Sequence, residues 1–282
     1  MNIVGADEPG FAASDRLASP RSRAYDVYQK RLLKQLKTRA RRPILACALG
    51  LLAIVHLSNG AAQELLQIGR AIDSPLSDIA ERVITEAGRR AGIAMQFQRM
   101  PLTRSIGLVS DGELDGDLMR IDGIDRNDPN LLRLSVSHVT AEVAAYGHSA
   151  GFEGRGRDDL RLMRFGIPKG VAVLRKYTEG LQVTETQTNA TLFDMLSAGR
   201  FDVVLMTHVD AEVALRERPV PGVVRWPHAW ASEPLYFVLH RRHAEVGARL
   251  ERALREMQRE GLPRKYYVEG LKHYDIKPFA PL

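Results

Sequence analysis

The apolar positions of this chain change period several times between Leu65 and Gly261. Leu65 to Ala71 reads as a first strand. Ser74-Pro75 then opens a helix, because Ser accepts from the free N–H groups of a first turn and Pro fits its first position. Ile79, Val83, Ile84, Ala87 and Ala91 recur at helical spacing until Gly92 ends the run, and Ile93 to Gln98 is a second strand. Strand, helix and strand this close together predict a right-handed parallel unit. Pro101 to Ser110 predicts another helix, with Arg104 in its first turn.

The stretch Asp111-Gly112-Glu113-Leu114-Asp115-Gly116 interrupts both periods. Gly accepts positive φ and Asp bonds its own backbone, so a turn is expected there. Asp117 to Ile121 follows as a short strand that delivers Arg120 near its C-terminal end. Ligands of open α/β sheets collect at that end, and an arginine offers them a planar fork of donors. The plainer alternative is a surface ion pair between Arg120 and Asp122 or Asp125.

Leu131 to Val136 and Ala141 to Tyr146 read as separate strands. Gly147 to Asp159, rich in Gly, Arg and Asp, reads as a lobe boundary. A second α/β pattern follows. It has strands at Leu162–Ile167, Leu181–Glu185, Phe201–Met206, Val223–Arg225 and Leu235–His240. Helices are expected after Pro168-Lys169-Gly170 through Tyr177, from Asn189 to Ala198, and from Asp210 to Arg218. The clearest helix is His243 to Glu260, with Val246, Leu250, Ala253, Leu254 and Met257 on one face. Gly261 and Pro263 are expected to end it. Two similar α/β patterns in one chain imply two lobes with a cleft between them.

Charge alters this picture only at the start. The chain has 282 residues and a formal charge of +6. Residues 1–62 hold ten Lys or Arg and four Asp or Glu, which is the whole excess. The remainder is balanced and has no net attraction to nucleic acid. Lys37, Arg39, Arg41 and Arg42, the apolar run Ile44 to Leu57, and the small residues Ser58 to Ala62 have the layout of a secretory signal. The run is shorter than the about 20 residues of a membrane span. Residues 1–62 are therefore expected to be a disordered N-terminus plus a signal cleaved near Ala62, with an uncleaved anchor as the alternative. The single cysteine, Cys47, would leave with the signal. That removes thiol and Cys-metal chemistry from the mature chain.

The eight histidines include no His-Glu-x-x-His or comparable ligand set, and Gly-x-Ser-x-Gly is absent. "GFEGRG" lacks the strand-to-helix junction of a phosphate loop. No cofactor, metal site or catalytic residue is expected.

The order of "GELDGDLMRI", "NLLRLSV", "SAGRFDVVL" and "REMQREGLPRKYY" resembles the extracytoplasmic solute-binding proteins of family 3, the amino-acid-binding type, over roughly Leu65 to Tyr267. The resemblance implies an α/β, two-lobed periplasmic-binding-protein type II fold with two crossovers and a central cleft. Lobe 1 would comprise residues 63–145 and 238–282, and lobe 2 residues 146–237. It also implies a monomeric periplasmic protein that binds a small amino-acid-like or carboxylate ligand and hands it to an ABC transporter permease.

Carried over residue by residue, the resemblance makes Arg120 the carboxylate anchor, with Arg126 second. Asp73 and Ser74 follow the first strand, and Arg104 faces the presumed cleft. Lys169 and Gly170 match a ligand-binding turn. Thr207 stands where the family has its amine-binding acid, and Val171 where it has Ser or Thr, which weakens the case for an ordinary α-amino acid. Trp226, Trp230 and Tyr236 are candidates for an aromatic wall or for core. The rival functions on this scaffold are a ligand sensor and a dehydratase-like enzyme, with Asp73, Glu142 or Glu233 as acid.

Overall fold

The computed structural model describes residues 64–72 and 74–279. The leader, residues 1–62, and Asp73 lie outside the described residues. Strand β1 (Glu64–Arg70), helix α1 (Pro75–Ala91) and strand β2 (Ile93–Arg99) form the expected parallel unit, paired from Glu64↔Ile93 to Arg70↔Arg99. Ser74 is the cap of α1, its hydroxyl accepting from the Ser77 N–H at 3.2 Å, and Gly92 leaves the helix at φ 71°. Ile79, Val83, Ile84 and Ala87 are all buried, packed with Leu66, Ile68, Leu250 and Leu254 in the first core.

Helix α2 (Leu102–Ser110) leads through the acidic turn into β3 (Gly116–Arg120). That strand runs parallel to β1 and antiparallel to the late strand β9 (Ala231–His240). A Cβ on Gly116 would stand 2.6 Å from the Val238 carbonyl oxygen, so only glycine lets the two backbones approach this closely.

The next strand departs from expectation. β4 (Leu131–His148) is one strand of 18 residues rather than two. The polar interval Ser137-His138-Val139-Thr140 stays in the ladder because β9 pairs with it, from Leu131↔His240 to Val143↔Ala231. The register shifts between Arg133 and Ser137 and again between Ser137 and Val139. β9 itself begins at Ala231, four residues before the expected start, and carries Pro234 opposite Thr140.

Beyond Val143, β4 pairs with β7 (Val203–Thr207) and β8 (Val223–Arg225). Parallel pairs join β7 to β5 (Arg164–Pro168) and β5 to β6 (Gln182–Thr186). The strand order is β2-β1-β3-β9-β4-β7-β5-β6, so β4 and β9 are the strands through which the chain passes from one lobe to the other. The Gly-rich stretch expected at the boundary instead holds two short helices, α3 (Ser149–Phe152) and α4 (Arg157–Arg161).

The second lobe adds α5 (Ala172–Tyr177), α6 (Asn189–Ser197) and α7 (His208–Glu217). The apolar run of β7 is buried on both faces. Val203 and Leu205 pack with Phe165 and Trp230, while Val204 and Met206 pack with Phe193 and Phe201. Trp226 and Trp230 belong to this core, 6.2 Å apart between ring centres, and Tyr236 lies under the Arg133 guanidinium. None of the three lines a cleft.

The chain ends on α8 (Ala244–Arg259) and α9 (Leu262–His273), both packed on α1. Helix α8 ends at Gly261 as expected, but a further helix that the sequence reading did not anticipate follows at once. Gly261 turns the chain at φ 72°, and Pro263, in the first turn, starts α9. Residues 274–279 then reach the second lobe, where Lys277 O accepts from His208 Nε2 at 2.9 Å and the Phe279 ring lies 4.1 Å from the Arg225 guanidinium.

Two consequences can be measured. Gly116→Ala should lower the denaturant midpoint by an amount worth about 1–3 kcal/mol, the cost of forcing β3 from β9. His138, at the second register shift, is buried edge-on to Phe237 at 6.5 Å. Burial pushes its imidazole down to about 3, a backbone contact at Leu118 opposing in part. Between its ordinary value of 6.5 and about 3 the unfolded chain binds a proton here that the folded chain refuses. Stability from this residue is thus lost as pH falls through that window, at up to about 1.4 kcal/mol per pH unit. His138→Leu should gain on the wild type by more than about 1 kcal/mol between pH 6.5 and 4. Parallel stability-against-pH curves for the two proteins would count against the assignment.

Candidate functional site

A cleft of about 860 Å³ lies between the two lobes. Lobe 1 contributes the chain after β1, the start of α2 and the end of β3. Lobe 2 contributes the turn after β5, the starts of α5 and α6, and one side of α7. These are the C-terminal ends of parallel strands and the N-termini of helices, where backbone N–H groups face an incoming anion. The lips come close, since a Cβ on Gly170 would meet Thr103 Cγ2 at 3.4 Å.

Arg120 lines this cleft but is not a free surface side chain. It is 7% exposed, and its Nη2 donates to Asp117 Oδ2 at 2.5 Å and to the Leu102 carbonyl at 2.7 Å. Asp117 is fully buried and also accepts from the Ser105 hydroxyl. The pairing with Asp122 or Asp125 weighed from sequence goes instead to Arg126 and Arg133. Arg120 Nε is buried with no hydrogen-bond partner among the described residues.

The other expected residues divide. Lys169, Gly170, Ser74 and Thr207 line the cleft, with Gly170 at φ 83°. Arg126 is exposed, bonded to Asp122 at 3.1 Å, and Arg104 is exposed; neither is among the lining residues. Asp73 is outside the described residues.

The carboxylates nominated for acid chemistry lie elsewhere. Glu233, 3% exposed, accepts from Lys176 Nζ at 2.7 Å and Tyr177 Oη at 2.5 Å. Glu142 is pushed up by burial, opposed by the charge of Arg225, and is not a lining residue either. Among the described residues no group of His, Cys, Asp or Glu is arranged to hold a metal ion.

The residue that sequence reasoning missed is Asp210, the third residue of α7. Its Oδ1 accepts from Ser74 Oγ at 3.1 Å and from the Leu76 N–H at 3.0 Å. Its Oδ2 accepts from Thr207 Oγ1 at 2.5 Å. Burial pushes this carboxyl up, and bonds from Thr207, Leu76 and Ser74 pull against that. A lobe 2 helix thus supplies the anion that fills the N-terminus of α1, the site expected to receive a ligand. The signal was present in Thr207-His208-Val209-Asp210, which has the Thr-x-x-acid form of a helix start.

No family model matches the chain. A protein of Shewanella oneidensis described as uncharacterized is 22% identical over 204 residues, spanning 70% of this chain and 77% of that protein. Among solved structures, an ancestral arginine-binding protein bound to arginine matches 73% of this chain and 97% of its own, at 19% identity and a TM-score of 0.58. A histidine kinase sensor domain with similarity to periplasmic binding proteins matches 74% and 97%, at 15% identity and 0.60. An amino acid ABC transporter substrate-binding protein from Streptococcus pneumoniae, bound to L-arginine, matches 77% and 98%, at 14% identity and 0.60. The fold is the two-lobed periplasmic-binding-protein type II fold.

Proposed function

We propose that this chain is an exported solute-binding protein that closes its two lobes on a small anionic, amino-acid-like or carboxylate ligand and delivers it to an ABC transporter permease. The observation that carries the proposal is Arg120, an arginine held by Asp117 and the Leu102 carbonyl at the wall of an interlobe cleft. Lys169 adds a second cation from the opposite lobe, so a bound anion would draw the two together. Ser74, Gly170 and Thr207 complete the surround, and the periplasmic assignment rests on the signal-like leader. The lobe limits proposed are residues 63–145 with 238–282, and 146–237. Of the three carboxylates weighed as acids, Glu142 and Glu233 do not line the cleft, which supports binding without turnover, and Asp73 lies outside the described residues. The sensor-kinase neighbour supports a second reading, in which the same cleft reports a ligand rather than carrying it. A leader retained in the membrane fraction would favour that reading, and release of a chain cut near Ala62 would favour transport.

A thermal-shift screen of dialysed protein against small metabolites should find anions that raise the melting temperature. A ligand at 100 times its Kd contributes about 2.7 kcal/mol. Arg120→Lys keeps a charge beside Asp117 but loses the fork, and should weaken binding roughly tenfold or more with the fold retained. Lys169→Ala should weaken it less. Arg120→Ala should be destabilised by about 3–5 kcal/mol, because it strands the buried Asp117 carboxylate. That expectation replaces the harmless truncation that a solvent-facing side chain would predict. Undiminished anion affinity in Arg120→Lys would overturn the anchor assignment.

A further inference from the structure

Two residues close together near the end of the described chain are packed against the cores of different lobes. Ile276 is buried in the first core with Ile79 and Leu250, and Phe279 packs against the second-lobe core of Phe193 and Phe201. On the lobe 1 side the segment is fixed by its neighbours. Tyr274 Oη donates to Asp78 Oδ2 of α1 at 2.5 Å, and the Ile276 N–H donates to the Leu271 carbonyl at 2.8 Å. Asp275 turns the chain out of α9 at φ 52°, a left-handed conformation that Asp adopts more readily than most residues. On the lobe 2 side, Arg216 of α7 donates to the Tyr274 carbonyl and, at 2.6 Å, to the Asp275 carbonyl. His208 Nε2 holds the Lys277 carbonyl at 2.9 Å, and its ring centre lies 4.6 Å from that of Phe279.

These contacts use one side of α7, and the cleft uses the other. Asp210, Val213, Ala214 and Glu217 line the cleft, while the helical period puts His208 and Arg216 on the opposite face. His208 Nδ1 is also 3.1 Å from the Tyr146 hydroxyl, so the segment meets the crossover strand β4. From Ile276 to Phe279 the chain reaches at most about 11 Å even when extended. Both ends are anchored, so it has no slack with which to follow the lobes apart. It makes its contacts in an arrangement where the lips are close, Gly170 standing opposite Thr103. Resting on the solute-binding reading above, we propose that residues 274–279 form a strap on the far side of α7 that limits how far the two lobes separate. The empty protein is thereby held near its closed arrangement. A competent arrangement that is already populated raises the apparent affinity, because the solute has less closure to drive.

Pulsed dipolar spectroscopy of the full chain, without added solute, reads the separation of the lips. Cys47→Ser removes the single native thiol, and nitroxides at Arg104→Cys and Gln187→Cys mark one lobe each. The double variant Arg216→Ala/Phe279→Ala should lengthen the mean distance by more than about 2 Å and broaden its distribution. Phe279→Ala alone should give a smaller shift in the same direction. Arg216 is half-exposed, so Arg216→Ala alone carries the test if the double variant loses its helical circular dichroism. Arg164→Ala breaks an ion pair with Asp202 inside lobe 2 and should leave the distance unchanged. An unchanged or shorter distance in a folded strap variant overturns the inference, and so does an equal lengthening in Arg164→Ala. Neither result touches the solute-binding reading, which the metabolite screen judges separately.

Discussion

The antiparallel pairing of β4 with β9 is the constraint on which the two-lobed arrangement depends. Both strands belong to each lobe, so any change in the angle between lobes has to be absorbed within their shared ladder. The ladder is irregular where that would happen, slipping register on both sides of Ser137. Irregular pairing bends a strand and increases its twist. His138 anchors the bend from inside, its ring buried against Phe237 in β9. The crossover is therefore a continuous hydrogen-bonded ladder with a buried side-chain contact at its bend, not a loose linker.

Asp210 adds a second tie between the lobes. It rides on α7, which continues directly from β7 in lobe 2, and it ends on the backbone of α1 in lobe 1. Val209, one residue earlier, is buried in the lobe 1 core. The first turn of α7 is thus shared between lobes, and a ligand in the cleft meets a helix N-terminus already occupied. Of the binding devices such a cleft has to offer, α1 is spent on holding the protein together. The strand-end arginine, the turn at Lys169-Gly170 and the starts of α5 and α6 remain to face a solute.

What could be read in advance follows from how local each cause is. Helix α1 was readable at both ends because Ser74, Pro75 and Gly92 act on their own neighbours and the apolar stripe between them is periodic. β7 was readable because a strand buried on both faces shows as an unbroken apolar run. The continuity of β4 was not, since Ser137 to Thr140 breaks the apolar pattern and only pairing with β9, about a hundred residues later, restores it. Helix α9 was missed because a glycine at φ 72° can end one helix and Pro263 can begin another, and spacing does not say which. Asp210 was missed for the strongest form of the same reason. Its hydrogen bond joins residues 134 positions apart, and no periodicity links them.

Arg120 shows how a correct position can carry an incomplete role. A strand-end arginine after the Gly-Asp turn suggested a cation waiting in solvent. In the fold its Nη2 is committed to Asp117 and the Leu102 carbonyl, and Ser105 completes the cradle from α2. A long flexible cation free in solvent would lose side-chain entropy on gripping a ligand, and this one has lost it on folding. The buried carboxylate also keeps the guanidinium oriented when the cleft is empty. What remains for the ligand is the part of the guanidinium that lines the cleft, held in place by these bonds. The same pairing couples recognition to stability, so the residue best placed to bind an anion is one whose side chain cannot be removed without disturbing lobe 1.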